Sequence, residues 1–267
     1  MSIPSPLVAL LTDFGLRDQY AALMKGTMLS ICPTLRIVDI THDVEPQNIQ
    51  QAAYLLWSSY RHFPSSSIFA CIVDPGVGTS RDIIGAMTKR HIFLAPDNGL
   101  LDIVLWQEKV SEVTVVQIGS PKLRSLLPGN ISNTFHGRDI FAPLSAHLSK
   151  GVSLKSLGTK RRVDWLRPPF VDQSHPRNQP KILHIDRFGN IITNIVGLEN
   201  GPPMGMLGIQ LGRRKLCRWI ENYESAPSNA PCLIVGSSGL IEIVIKNKSA
   251  AAALKVNHTV PMIVLRK

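Results

Sequence analysis

The densest chemical signal in the chain is Asp74-Pro75-Gly76-Val77-Gly78-Thr79-Ser80-Arg81. An apolar, β-prone run from Ser67 to Val73 ends abruptly on the Asp74 carboxylate. Proline then fixes one φ, and two glycines permit backbone angles and close approaches that a Cβ forbids. At the carboxyl end of a strand, where open α/β sheets hold ligands, such a carboxylate with bare loop N–H groups and the Arg81 guanidinium nearby makes a candidate site. A plain structural turn needs one such device, an Asp capping the backbone. Three in a row favour a site.

Comparable polar clusters recur at Leu11-Thr12-Asp13-Phe14-Gly15 with Asp18, at Val38-Asp39-Ile40-Thr41-His42, and at Thr134-Phe135-His136-Gly137-Arg138-Asp139. Asp13, Asp39, His42, Asp74, His136 and Asp139 are enough hard ligands for a two-metal phosphoesterase. Arg81 and Arg138 beside those acids weigh against that chemistry.

The elements that must position these residues follow from periodicity. Residues 6–12, 36–40, 67–73 and 92–95 read as short strands. Residues 19–31 read as a helix, with Asp18 as N-cap and Pro33 as stop, and 48–62 as a second helix. Each strand hands over to a loop carrying Asp, Asn or His, which predicts a cluster at one sheet edge. In open α/β sheets that carboxyl edge is where ligands bind. A third helix is expected at 140–150, introduced by the His136 motif. Strand alternating with helix predicts a parallel-rich α/β sandwich over residues 1–165. Residues 166–180 are proline-rich and aperiodic, a linker in character. Strands expected at 181–185, 191–195, 206–211, 232–235, 240–245 and 260–266 predict a smaller, β-barrel-like domain over 181–267.

Composition narrows the class. A chain of 267 residues with 44% apolar and 18% charged residues can bury a core and is not disordered. Cys32, Cys71, Cys217 and Cys232 form no C-x-x-C pair and read as reduced thiols, Cys71 as a core hydrophobe. With no signal-like start and no membrane-spanning run, a soluble cytoplasmic protein is expected. A net charge of +10 could suggest nucleic acid. The clusters Lys160-Arg161-Arg162 and Arg213-Arg214-Lys215 are not interleaved with aromatic residues, and only 6% of residues are aromatic, so solvated surface charge is the better reading and no nucleic-acid partner is expected.

Taken in order, the four polar motifs, Asp186-Arg187-Phe188-Gly189-Asn190 and Ser237-Ser238-Gly239-Leu240 resemble the S-adenosyl-L-methionine (SAM) hydrolases. These are also called SAM hydroxide adenosyltransferases and are related to the SAM-dependent fluorinase and chlorinase. The resemblance runs from about residue 7 to the C-terminus. It implies two domains, a homotrimer with sites at subunit interfaces, and attack of water on ribose C5′ of SAM to give adenosine and methionine. Methionine leaves as a neutral thioether, so no acid need protonate it. The chemistry requires in-line placement of water and removal of a proton. No metal and no cofactor are implied, SAM being the substrate.

The resemblance assigns the hydrolytic set to Asp74, Arg81 and His136. Asp74 would orient the water or accept its proton, Arg81 would pair with it through a charge-assisted fork, and His136 would complete the network. Which of them is the base stays open. Asp13 matches the carboxylate on the ribose hydroxyls, with Pro75 and Gln47 also in the substrate set. Asp186 matches the residue taking the methionine ammonium, with Phe188 and Asn190 as adjoining wall. Ser237, with Ser238 beside it, matches a hydroxyl on the methionine carboxylate, and backbone near Asn247 would meet the adenine edge.

Three departures from the halogenases point to water as nucleophile. Those enzymes carry a tyrosine at the Asp74 position and a threonine at the Val77 position, and they have an insertion after the third strand that 81–95 is too short to hold. Gln47 stands where they have a tryptophan near the adenosine. The alternatives to a hydrolase are a SAM or adenosine binding module with little turnover, a SAM-dependent halogenase, and the metal-dependent phosphoesterase.

Overall fold

The computed structural model describes residues 7–163, 169–172, 175, 177–198 and 201–267. Of the expected linker, residues 166–168, 173, 174 and 176 lie outside the described residues. The chain divides into two units, Met1–Leu166 and Arg167–Lys267.

The first unit is built on seven strands: β1 (Leu7–Thr12), β2 (Arg36–Thr41), β3 (Ile68–Ile72), β4 (Ile83–Met87), β5 (Ile92–Pro96), β6 (Glu112–Val116) and β7 (Gly158–Arg162). Their order is β2-β1-β3-β5-β4-β6-β7. The first four in that order run parallel, which puts the carboxyl ends of β2, β1, β3 and β5 on one edge. β4, β6 and β7 add antiparallel strands beyond β5.

Side chains alternate across the sheet because the strand period is two. Val8, Leu10, Ile68 and Ala70 face Met24 and Met28 of α1 (Tyr20–Ile31). That same layer holds Leu144 and Leu148 of the later helix Ala142–Ser149. Leu7, Ala9, Leu11, Phe69 and Cys71 face the other layer, with Ala52 and Leu56 of α2 (Ile49–Ser59) and Val104 and Leu105 of α3 (Asp102–Gln107). Burial on both faces explains why these strands read as unbroken apolar runs. Each fully buried methionine of α1 contributes about 1.5–3 kcal/mol of transfer free energy. A short α4 (Pro121–Arg124) leads towards the Ala142–Ser149 helix, now α5.

Two local expectations change. Asp18 does not cap α1; Gln19 holds that position in helical conformation, with no side-chain bond to the helix. Asn48 does cap α2, its Oδ1 accepting from Gln51 N at 3.0 Å, but the helix tightens into a 3-10 turn at Tyr60–His62. Before α5, residues Gly137–Phe141 form a wide π turn, a distortion that often re-aims side chains at sites.

In the second unit β8 (Ile182–Ile185), β9 (Ile191–Val196), β12 (Cys232–Val235) and β13 (Leu240–Val244) form an antiparallel sheet ordered β12-β13-β9-β8. β10 (Met206–Leu211), β11 (Arg214–Leu216) and β14 (Met262–Arg266) form another, ordered β11-β10-β14. The β-rich C-terminal expectation thus takes the form of two small sheets. They share a core of Ile191, Ile195, Ile209, Leu233, Ile241 and Ile243, closed by Leu254 of α6 (Ala250–Leu254). Among the described residues all four cysteines are free, and burial pushes the Cys71 thiol well above its ordinary range. No helix among the described residues is long and apolar enough to cross a membrane.

Candidate active site

Asp74 follows β3 by two residues, at the carboxyl edge of the parallel strands. The loop beyond it is knotted by its own backbone. Val77 N donates to Asp74 O at 3.3 Å and Thr79 N to Gly76 O at 3.2 Å. From the β5 side, Asn98 Nδ2 donates to Val73 O at 2.9 Å, tying the next strand end to this one. Gly78 has φ +77°, and a Cβ there would collide with the Asn133 carbonyl oxygen. The loop therefore lies flat against the backbone that leads to His136.

The turn brings Arg81 back onto Asp74. Arg81 Nε donates to Asp74 Oδ1 at 2.8 Å, and Nη2 donates to Oδ2. Only 12% of the Arg81 side chain and 6% of the Asp74 side chain are exposed, so the fork is largely withdrawn from water. Arg81 Nη2 also lies 3.3 Å from His136 Nδ1. Burial, then the Arg81 charge, push the His136 imidazole below its ordinary value, against an opposing pull from Asp74 and Asp139.

Asp139 is occupied elsewhere. Its Oδ1 accepts from Arg138 Nε at 2.6 Å, and its Oδ2 from Arg138 Nη2 and Ser132 N, both at 2.9 Å. The Arg138 fork holds its carboxyl below the usual range against the effect of burial. Asp39 is likewise committed, to Lys25 at 2.6 Å and His42 at 3.1 Å. Burial works to raise the Asp39 carboxyl, but Lys25 and His42 together hold it low. Buried His42 takes Thr12 Oγ1 at 2.7 Å through Nδ1. Thus three of the acids offered for a two-metal site already face cations, and among the described residues no group of three or more His, Cys, Asp or Glu is placed to hold a metal ion.

Asp13 stands one residue past β1 on the same edge. Its Oδ2 accepts from Gln47 N at 2.9 Å, with Gln47 at φ +66°. What Gln47 offers the acid is its main-chain N–H, an interaction its side-chain type does not reveal. Pro75 fixes the first φ of the Asp74 turn and is itself exposed.

The second unit carries the remaining expected residues. Asp186 organises its loop as an acceptor: Oδ1 takes Phe188 N at 2.9 Å and Asn190 N at 2.8 Å, and Oδ2 takes Asn190 Nδ2 at 3.0 Å. Asp186, Phe188, Asn190 and Asn247 line one cavity of about 730 Å³, together with Tyr223 and Ser249. Phe188 presents an apolar ring that is 76% exposed. Ser237 and Ser238 occupy the turn between β12 and β13 and do not line that cavity, although Ser238 Oγ is buried without a hydrogen-bond partner among the described residues.

Sequence reasoning missed Tyr223, whose hydroxyl donates to Glu242 Oε2 at 3.0 Å. The signal that could have found this pair is the lone carboxylate in Leu240-Ile241-Glu242-Ile243-Val244, an otherwise buried apolar strand. A charge is not placed there without a reason.

Against known proteins, residues 8–158 match the SAM hydroxide adenosyltransferase N-terminal domain and residues 180–262 match its C-terminal domain. A protein of Thermus thermophilus named (R)-S-adenosyl-L-methionine hydrolase is 34% identical over 258 residues, spanning 96% of this chain and 98% of its own. One of the same name from Methanocaldococcus jannaschii is 31% identical, spanning 94% and 93%. The crystal structure of an uncharacterized conserved protein from Thermotoga maritima superposes with a TM-score of 0.81 at 32% identity, covering 97% of this chain and all of the other.

Proposed function

This chain belongs to the SAM hydroxide adenosyltransferase family, and we propose that it hydrolyses S-adenosyl-L-methionine to adenosine and L-methionine. Water attacks ribose C5′; the new O–C5′ bond forms as C5′–S breaks, and sulfur leaves with the electron pair as a neutral thioether. One proton is released from the attacking water.

The observation that carries this reading is the chain of contacts Asp74–Arg81–His136. Arg81 grips Asp74 with two donors, which leaves the outer lone pairs of the carboxylate to orient the water and draw off its proton. Arg81 also donates to His136 Nδ1, so a neutral His136 offers its Nε2–H as a donor beside the reacting water. Asp13 grips the ribose hydroxyls, with Pro75 and Gln47 at the adenosine end. Asp186 takes the methionine ammonium, flanked by Phe188 and Asn190, while Ser237 and Ser238 take the carboxylate. Backbone at Asn247 meets the adenine edge.

The proposal includes a homotrimer with sites at subunit interfaces, no cofactor, and residence in the cytoplasm. It keeps the division at 166–180 between the two domains. The name of the relatives specifies the (R) form, and the proposal extends to that sulfonium epimer.

The test is incubation with each sulfonium epimer of SAM in halide-free buffer containing EDTA, following adenosine and methionine by chromatography. Equimolar release, lost in Asp74→Ala, is the expected result. Bound SAM with no release above that control would replace the hydrolase with a binding module. Formation of a 5′-halo-adenosine on adding chloride or fluoride would replace it with a halogenase.

A further inference from the structure

The motif Val38-Asp39-Ile40-Thr41-His42 takes no part in the chemistry proposed above, yet its imidazole is buried, only 2% exposed. Residues three apart on an unbroken strand point to opposite faces. Here β2 slips by one residue against β1, Leu10 pairing with Asp39 but Leu11 with Thr41. An irregularity of that kind re-aims the side chains beyond it. Past the slip, His42 Nε2 lies 3.1 Å from Asp39 Oδ1, at ion-pair distance though off line for a full hydrogen bond. Lys25 holds the other oxygen of Asp39 at 2.6 Å.

The opposite ring nitrogen reaches the turn that carries Asp13. Thr12, fully buried, places its Oγ1 2.7 Å from His42 Nδ1, and the same oxygen accepts from Phe14 N at 3.2 Å. The second bond closes a hydroxyl-capped turn from Thr12 to Phe14, with Asp13 as its middle residue. Phe14 N and His42 Nδ1 are the two groups that Thr12 Oγ1 meets among the described residues. A main-chain N–H only donates, so the Thr12 proton goes to Nδ1, and the neutral ring carries its own proton on Nε2, facing Asp39. Main chain adds a second brace: Gly15 N donates to His42 O at 2.7 Å, and Val44 N to Thr12 O at 3.4 Å. One buried imidazole therefore locks the turn through its side chain and its carbonyl. Asp13 projects from that turn, with Oδ2 accepting from Gln47 N.

We propose that His42, braced by Asp39, is the positioning residue for Asp13, and that it acts through the Thr12 hydroxyl. This inference rests on the reading of Asp13 as the carboxylate that grips the ribose hydroxyls. Two hydroxyls on one carboxylate demand a fixed direction of approach, because each hydrogen bond weakens steeply as it bends. Asp13 stands one residue past β1, where the ladder no longer fixes its main chain. The Thr12–His42 contact supplies the constraint that the strand has ceased to give. His42 thereby sharpens the preference for a ribose over a sugar that lacks those hydroxyls, without touching the substrate.

The test compares the binding of adenosine and 2′,3′-dideoxyadenosine to the full chain by titration calorimetry. Wild-type protein is expected to prefer adenosine. Thr12→Val keeps the shape of a buried side chain and removes the hydroxyl, which guards against a folding defect. His42→Leu removes the ring nitrogens. In each the loss falls on adenosine, and the preference narrows roughly tenfold, the worth of one hydrogen bond to a charged group. The double variant is expected to narrow it no further than either single one, since both cut the same contact. His42→Asn offers an acceptor close to the position of Nδ1 and should recover most of the preference. Equal weakening of both nucleosides, or an unchanged preference in Thr12→Val and His42→Leu, overturns the inference and leaves the ribose reading standing. An Asp13→Asn protein that keeps the wild-type preference overturns the ribose reading, and the inference with it.

Discussion

Arg81 Nη2 lies 3.3 Å from His136 Nδ1 while the same guanidinium grips Asp74. A guanidinium has donors and no lone pair to give, so His136 Nδ1 is the acceptor and the ring proton of the neutral form sits on Nε2. Protonating Nδ1 would set two cations against each other. That is why the imidazole sits below its ordinary value of 6.5, burial contributing most and Arg81 next. An NMR titration of the His136 ring is expected to show a midpoint below that value, and Arg81→Met to move it upward. The rate should fall as pH drops through the His136 midpoint, since the acceptor is lost with protonation. A midpoint at or above the ordinary value in the wild type would contradict the geometry.

Asp74 and Arg81 are expected to respond differently to conservative change. Asp74→Asn preserves shape but replaces one acceptor oxygen with a donor group facing Arg81. Loss of proton transfer and of the charge-assisted fork should lower kcat by roughly 10²- to 10⁴-fold. Arg81→Lys retains the charge yet cannot span both carboxylate oxygens from one planar group, nor reach His136 with a third donor. It should cost at least about tenfold in kcat. Single-turnover measurements at saturating SAM check both, and an Arg81→Lys enzyme of wild-type rate would show that the fork does not matter.

Gly78 makes the position of the whole loop testable through stability. At φ +77°, with the Asn133 carbonyl where a Cβ would stand, Ala at this site meets both conformational strain and a clash with main chain. Gly78→Ala is expected to lose about 2–4 kcal/mol of stability. Asn133 precedes His136 by three residues, so the displaced backbone should lower activity as well. Thermal melting and the SAM assay on one preparation would report both effects; a variant that melts with the wild type would mean the loop relaxes freely.

Legibility of these features in the sequence follows from what holds each one in place. β1, β3 and β5 are buried on both faces, so they appear as apolar runs cut off by Asp13, Asp74 and Asp97-Asn98. The cluster at the carboxyl edge follows from that punctuation alone. β7, Gly-Thr-Lys-Arg-Arg, has no apolar signal because it is an edge strand whose pairing with β6 is made by backbone. β4, β6 and the six-residue α3 are too short to show a period that their neighbours do not blur. Side-chain chemistry was readable at Asp74, Arg81 and His136 because each sits in its own polar motif. It was not readable at Gln47, which acts through its main chain, or at Tyr223, which is distant in sequence from Asp186 and joined to it only by the fold.

His91 gives the first unit an acid sensitivity independent of the candidate site. It is 3% exposed, packed edge-on against Tyr60, Phe69 and Phe93 at 5.3–6.2 Å. Neither ring nitrogen has a hydrogen-bond partner among the described residues. Burial, and then Arg90, lower its pKa, with Glu108 opposing. A base whose folded value lies below its unfolded value contributes stability that is present above the unfolded value, about 6.5. As pH falls below that point the unfolded chain takes up a proton that the folded chain refuses, and the contribution is lost on the way down to the folded value. His91→Phe keeps an aromatic ring in the cluster and removes the titrating group. Its melting temperature relative to the wild type is expected to rise steadily as pH is lowered from 7.5 to 5. Parallel curves for the two proteins across that range would show that His91 is protonated at no cost, and that the acid sensitivity lies elsewhere.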